Sequence, residues 1–311
     1  MVPVNFPKKS LSDSFIGVYT DLKSIPLSPY IILCCKRDEQ YLILIPDTTF
    51  MLSKSQIQVI KSLKLKKFRE EHQLFISEGR KLVNELITST IKVRQIYATS
   101  DFFRTTKIDA SIERFEIKES ELERISSLTS PNEVLAVCEI PTCQLNMDSL
   151  KDKLTLVLED IKDPGNLGTI IRIADWFGIE TIICSEQTAE LYNPKVIQAT
   201  MGSVSRVQVH YMELPVFFNH QSENAGNDNP QKIYGALLEG DNIYTQPLSA
   251  NGFIVIGNES KGISETLLPC ITHKINIPSF SHFNPSGGEA ESLNAAVATS
   301  IICSEFRRRK F

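Results

Sequence analysis

The second half of the chain constrains the fold most, because short apolar runs alternate there with segments of helical spacing. Residues 154–159 read as a strand in which Leu154, Leu156, Val157 and Leu158 give the apolar character of strands covered on both faces. A helix is predicted over 168–177, a strand over 181–184, a helix over 194–201 and a strand over 204–209. Further strands are predicted over 232–237, 253–256 and 274–277. A long closing helix over 292–306 precedes the basic end Arg307-Arg308-Arg309-Lys310. This alternation specifies an α/β fold with a parallel sheet. The polar stretch 219–231, with Gly226 and Pro230, reads as a loop.

Residues 51–145 repeat the alternation on a smaller scale, as expected of a separate small α/β domain. Ile57, Ile60 and Leu63 give helical spacing over 55–65, and the basic run Lys64-Leu65-Lys66-Lys67-Phe68-Arg69 follows. Strands are predicted over 74–76, 93–98 and 134–140. An amphipathic helix is predicted over 79–87, and a helix start over 120–125 with Ser120 as its cap. Residues 1–50 carry no motif and read as an extension of unknown role. Segments 31–33 and 41–45 could pair as a hairpin; the alternative, a poorly ordered extension, is preferred because the recognisable pattern begins after Met51. The expected organisation is therefore 1–50, 51–145 and 150–311, and a chain of 311 residues has room for two domains.

Composition removes several function classes. No apolar run approaches the roughly 20 residues that span a bilayer, and no secretory signal is evident, so no membrane partner is expected. Seven cysteines without a Cys-x-x-Cys pair suit a reduced, cytoplasmic protein and argue against a metal site. The net charge of -4 argues against a broadly basic nucleic-acid coat. Between residues 51 and 100, however, Lys and Arg outnumber Asp and Glu by six, a local excess suited to phosphates.

Three short motifs lie beside predicted strand or helix ends. In Asp163-Pro164-Gly165-Asn166-Leu167-Gly168, Pro and Gly make a turn and Asn166 sits where a helix cap is wanted. Arg172 follows among Ile170, Ile171, Ile173 and Ala174, and a guanidinium there calls for an anionic partner such as phosphate. Gly257-Asn258-Glu259-Ser260-Lys261-Gly262 follows the strand ending in Ile256, and two glycines flanking a carboxylate suit close backbone approach to a ligand. Ile275-Asn276-Ile277-Pro278 leads through a loop to Glu291-Ser292-Leu293-Asn294, where Ser292 is placed to cap the closing helix. Leu237-Leu238-Glu239-Gly240 is a fourth strand end of this type. Neither a Walker phosphate loop nor a Gly-x-Gly-x-x-Gly fingerprint is present, which counts against a dinucleotide-dependent enzyme.

Asn-Leu-Gly-x-x-x-Arg, Gly-x-Glu-x-x-Gly and Ile-Pro…Ser-Leu-Asn resemble the three signature motifs of the SpoU, or TrmH, family of the SPOUT class. Tyr192-Asn193-Pro194-Lys195-Val196 and Met201-Gly202-Ser203 resemble the segment between its first two motifs. Residues 57–87, with Phe75-Ile76-Ser77-Glu78-Gly79, resemble the family's substrate-binding domain of L30e type. The resemblance implies a parallel-sheet SPOUT domain with a deep trefoil knot, an exception to the un-knotted rule. It also implies S-adenosylmethionine as methyl donor, 2′-O-ribose methylation of ribosomal or transfer RNA, and a homodimer.

Carried over by motif, the resemblance implies a donor pocket of Leu238, Gly240, Ile256, Gly257, Ile277 and Leu293. Arg172 is implied as catalytic, with Asn166, Glu259, Ser292 and Asn294 orienting it and the ribose. Lys64, Lys66, Lys67, Arg69, Arg80 and Lys81 are the expected RNA contacts. Residues 279–291 make a longer loop than the family usually has. A non-catalytic RNA-binding protein on the same fold is the rival reading, and intact Arg172, Glu259 and Asn294 speak against it.

Overall fold

The computed structural model describes residues 31–36, 39–44, 52–130, 133–224, 231–280 and 292–308. Residues 1–51 form one unit, in which β1 (Ile31–Lys36) pairs antiparallel with β2 (Glu39–Leu44). The rest of the expected extension lies outside the described residues.

The second unit, Leu52–Phe311, holds two sheets. It opens with α1 (Lys54–Ser62), whose Ser53 accepts the Gln56 amide while the Gln56 side chain returns to the Ser53 amide. There follow α2 (Lys66–His72), β3 (Leu74–Glu78), α3 (Arg80–Ile87), β4 (Val93–Ala98), α4 (Ser100–Thr105), β5 (Glu113–Glu116), α5 (Glu119–Ile125) and β6 (Val134–Glu139). The four strands lie in the order β3-β6-β4-β5, with only the β4–β5 pair parallel. Ser120 is not the cap of α5, since the helix already starts at Glu119 after Lys118.

The larger sheet is built from β7 (Leu154–Leu158), α6 (Pro164–Trp176), β8 (Thr181–Cys184), α7 (Pro194–Thr200), β9 (Gln208–Tyr211), α8 (Leu214–Asn224), β10 (Ile233–Asn242), β11 (Gly252–Ile256), β12 (His273–Asn276) and α9 (Ala295–Arg308). Its order is β12-β10-β11-β7-β8-β9, and every neighbouring pair is parallel. All five side chains of β7 are buried, as its apolar run requires. The strand expected over 204–209 is instead a 3-10 turn at Ser203–Ser205 followed by β9. The Ser205 hydroxyl donates to Gly202 O at 2.9 Å, a local bond that competes with the ladder. Part of the expected loop 219–231 belongs to α8, whose buried Leu214, Phe217 and Phe218 have helical spacing.

One apolar core runs through both sheets, from Phe75 and Val83 to Leu156, Ile170 and Ile302. Helix α7 packs on β3, and the rings of Phe75 and Tyr192 meet at 4.9 Å. Helix α9 packs along α6. Arg307 in its last turn donates to Phe177 O at 2.7 Å and Gly178 O at 2.9 Å, so carbonyls left open at the end of α6 gain partners. Gly168 permits the contact of α6 with α7, because an added Cβ would lie 2.5 Å from the Ala199 Cβ and 2.6 Å from Val196 O.

Candidate active site

Three chain segments at the C-terminal side of the parallel strands wall a cavity of about 700 Å³, within the range of small-molecule sites. The first wall is a bulge in β10. Ala236 and Asp241 both pair with Ile275, so Leu237 to Gly240 loop out of the ladder. The Asn276 amide holds the bulge by donating to Leu237 O at 3.1 Å and Leu238 O at 2.6 Å.

The second wall is the turn after β11. Asn258 and Gly262 exchange backbone hydrogen bonds at 3.0 and 2.8 Å. The Asn258 side chain accepts the amides of Ser260 and Lys261 and donates to Asp160 O at 2.8 Å. A Cβ on Gly257 would lie 2.3 Å from the Gly262 carbonyl carbon, so only glycine fits there. Ile277, Ser292 and Leu293 form the third wall.

The three motifs are joined by side-chain hydrogen bonds across this rim. Asn294 Nδ2 donates to Asn166 Oδ1 at 2.9 Å, and Asn166 Nδ2 donates to Glu259 Oε1 at 2.7 Å. Ser292 Oγ donates to Glu259 O at 3.4 Å. Helix capping makes this possible. The cap of α6 is Asp163, whose carboxylate accepts the Asn166 amide at 2.8 Å, and Pro164 opens the helix. Asn166 is thus not the cap but sits in the first turn with its side chain free to bridge. The cap of α9 is Asn294 rather than Ser292, since Asn294 Oδ1 accepts the amides of Ala296 and Val297 at 3.0 and 3.3 Å.

Leu238, Ile256, Gly257, Ile277 and Leu293 all line the cavity, whereas Gly240 sits at the end of the bulge against the Ile275 backbone. Asn258 and Asn276 shape the cavity without having been singled out in the sequence. Their signal is an Asn at a strand end, where its amide competes with the ladder.

Arg172 does not join this cluster. It lies six residues beyond Asn166, roughly 120° round the helix. It is exposed and faces a second cavity, also about 700 Å³, shared with Lys81, Asn84, Trp176, Met201 and Arg206.

Known proteins resemble this chain over most of its length. The SpoU rRNA Methylase family model matches residues 153–304, and an MRM3-like substrate binding domain matches residues 54–136. A solved TrmH-family structure from Porphyromonas gingivalis is 36% identical, covering 83% of this chain and 99% of its own, with a TM-score of 0.71. The chain belongs to the SpoU rRNA methylase family. An AdoMet-bound rRNA methyltransferase structure from Sinorhizobium meliloti is 26% identical, covers 84% of this chain and 97% of its own, and has a TM-score of 0.70. The 23S rRNA (guanosine(2553)-2′-O)-methyltransferase RlmP of Bacillus subtilis is 28% identical, over 79% of this chain and 94% of its own length.

In this SpoU chain the expected RNA contacts divide. Arg69 requires correction: it is 2% exposed, ion-paired to Glu190, and donates to Leu63 O at 2.8 Å. Its guanidinium joins α2 to the segment before α7 and presents no face to a phosphate. Arg80 is engaged by Glu133 and by Thr105 at 2.7 Å, and lies 5.2 Å from the Phe102 ring. Lys64 donates to Ser126 O at 2.8 Å. Lys66, Lys67 and Lys81 are exposed.

Proposed function

We propose that this SpoU family member transfers the methyl group of S-adenosylmethionine to a ribose 2′-hydroxyl in structured RNA, ribosomal or transfer, and works in the cytoplasm as a homodimer. The observation that carries the reading is the hydrogen-bonded run Asn294–Asn166–Glu259, which joins three motifs up to 128 residues apart on the rim of one cavity. That cavity suits the donor. Leu238, Ile256, Ile277 and Leu293 offer apolar surface to a nucleoside, Glu239 and Glu259 complement its positive charges, and Lys261 and Lys274 its carboxylate.

When bound, the donor would supply a sulfonium-borne methyl for the 2′-oxygen, with the sulfur keeping the bonding pair and the hydroxyl proton passing to solvent. The chain supplies orientation, which contributes up to roughly 7–11 kcal/mol in favourable systems. Asn166, held between Glu259 and Asn294, fixes the rim on which the ribose rests. Arg172 is unsuited to be the base, because arginine stays protonated in proteins. Its role is to hold the adjacent phosphate and stabilise the developing alkoxide.

Because Arg172 faces away from the donor cavity of its own chain, the homodimer brings it to the partner's cavity. In the same reading the domain carries a trefoil knot, and the passage from β11 across β10 to β12 with the return of α9 onto α6 supports it. Residues 51–145 form the substrate-binding domain and 150–311 the methyltransferase domain, with Lys66, Lys67 and Lys81 meeting RNA phosphates.

The test is a map of ribose methylation in total RNA from cells with and without the protein, paired with calorimetric titration of the donor. A methylated position lost with the protein, together with donor binding, is the expected result. An unchanged map and no donor binding would overturn the reading.

A further inference from the structure

The end of β3 buries a carboxyl. Glu78 is 5% exposed, yet no cation pairs with it among the described residues. The Ser126 hydroxyl donates to one of its oxygens and the Ser127 amide, at 2.8 Å, to the other. A carboxylate has about four acceptor positions, so about two stay open. Glutamate is almost never fully buried unless paired, and two hydrogen bonds offset only part of the cost of leaving water.

Alternation along β3 puts Ile76 and Glu78 on one face. Helix α7 packs on this strand, and Lys195 and Gln198, three residues apart, share one side of it. Between strand and helix lies a cavity of about 290 Å³, near the lower end of small-molecule sites. Ile76 and Ile197 wall it with apolar surface, and Glu78, Ser127, Lys195 and Gln198 line it with polar groups. The Lys195 and Gln198 side chains have no hydrogen bond or ion pair among the described residues. The β3 side thus offers acceptors, and the α7 side offers donors. An ammonium or guanidinium ligand would meet Lys195, and a phosphate or carboxylate would meet Glu78. A neutral ring with donors on one part of its edge and an acceptor beside them satisfies both. Guanine is that ring: N1–H and the N2 amine donate side by side, and O6 accepts. Adenine and cytosine carry an acceptor where guanine has N1–H, and uracil has no amine beside its N3–H. A base read on this edge must be unpaired.

We propose that the cavity between β3 and α7 takes one unpaired RNA guanine, with its N1–H and N2 amine on Glu78 and its O6 toward Lys195 and Gln198. This rests on the RNA-methylation reading and adds to it a base-selecting subsite. Little order is lost at Glu78 on binding, because Ser126 and Ser127 already hold its carboxyl.

The full-length protein is titrated with labelled oligouridylates about ten nucleotides long, a length within the usual range of site sizes. They differ only at one central position, which is guanosine, inosine or adenosine, and anisotropy reports binding. The guanosine oligonucleotide should bind roughly 5- to 150-fold tighter than the adenosine one, the range for one bidentate base contact. Inosine lacks only the N2 amine and should fall between them. Glu78→Gln should bring the three affinities together while calorimetric donor affinity stays unchanged. The wild-type series needs no variant, so the test stands even where Glu78→Gln fails to fold, and Gln198→Leu then supplies the second comparison, with a smaller loss of preference. Equal affinity for the three oligonucleotides, or no binding of any, overturns the proposal. So does a guanosine preference that survives in folded Glu78→Gln. Guanosine monophosphate that displaces the labelled RNA at equal concentration makes the free nucleotide the ligand and overturns the assignment to RNA. A guanosine preference without methyl transfer leaves this subsite standing and removes the activity reading. Methyl transfer without the preference does the reverse.

Discussion

The two large cavities have the same volume, about 700 Å³, but are built on opposite principles. The proposed donor cavity is walled by three turns of a single sheet and closed by bonds within a turn, such as Asn258–Gly262, and between neighbouring strands, such as Asn276–Leu238. The Arg172 cavity lies between two sheets, and its polar walls come from α3 on one side and α6 on the other. The first is a shape held by backbone. The second is a charge pattern that exists only while the two sheets stay docked. A change in the first should act on donor binding, and a change in the second on RNA and transfer.

The sharpest test sets one substitution in each cavity against the other. Arg172→Ala should leave calorimetric donor affinity unchanged and lower single-turnover methyl transfer by roughly 10²–10³-fold, the scale of losing one transition-state hydrogen-bond donor. Gly257→Ala should do the converse, because its new Cβ would meet the Gly262 backbone at 2.3 Å and displace the wall. Overpacking strain of about 1–3 kcal/mol should weaken donor binding by roughly 5- to 150-fold. Equal effects of both substitutions on donor affinity would break the distinction.

Next in size is the docking on which the second cavity depends. Arg69 and Glu190 form one contact between the sheets, and Arg206 with Glu85 and Asp175 forms another. Arg69 is buried while Glu190 keeps 24% of its surface, so Arg69→Met should cost about 3 kcal/mol, the lower end for breaking a buried pair. Arg206 and Glu85 are about half exposed, and Arg206→Met should cost no more than about 1 kcal/mol. Urea midpoints of both variants check this, and equal midpoints would mean that burial does not separate the two contacts.

The same contrast explains how much the sequence revealed. Strands β4 and β8 coincide with their predicted limits, because apolar runs bounded by turn residues report directly on burial. The walls of the first cavity were legible because each is one contiguous motif. Helix α2 was not, since its inward residue is Arg69, and the Glu190 that permits its burial lies 121 residues away. The separation of Arg172 from Asn166 was hidden too. With the helix predicted to start at Gly168, Asn166 stood outside it, and only capping by Asp163 puts both on one helix at a fixed angle. A wall made within one segment leaves a local pattern; a contact between two side chains far apart in the chain does not.

The smallest expected effect is also the most specific to the second cavity. Burial pushes the Asp175 carboxyl up, but hydrogen bonds from Arg206 and Ser203 outweigh it and hold the group below its ordinary range. A carboxyl with a lower pKa folded than unfolded binds its proton more tightly in the unfolded chain. Its contribution to stability is therefore complete above the unfolded value of about 3.9 and is lost as the pH falls through the folded value. Asp175→Asn lacks this proton linkage. The gap in urea midpoint between wild type and Asp175→Asn should be constant above about pH 5 and close as the medium is acidified below about pH 4. A gap that stays constant down to the acid limit would show that Asp175 gains nothing from Arg206 in the folded chain, and the α3–α6 wall would then rest on the Arg206–Glu85 pair alone.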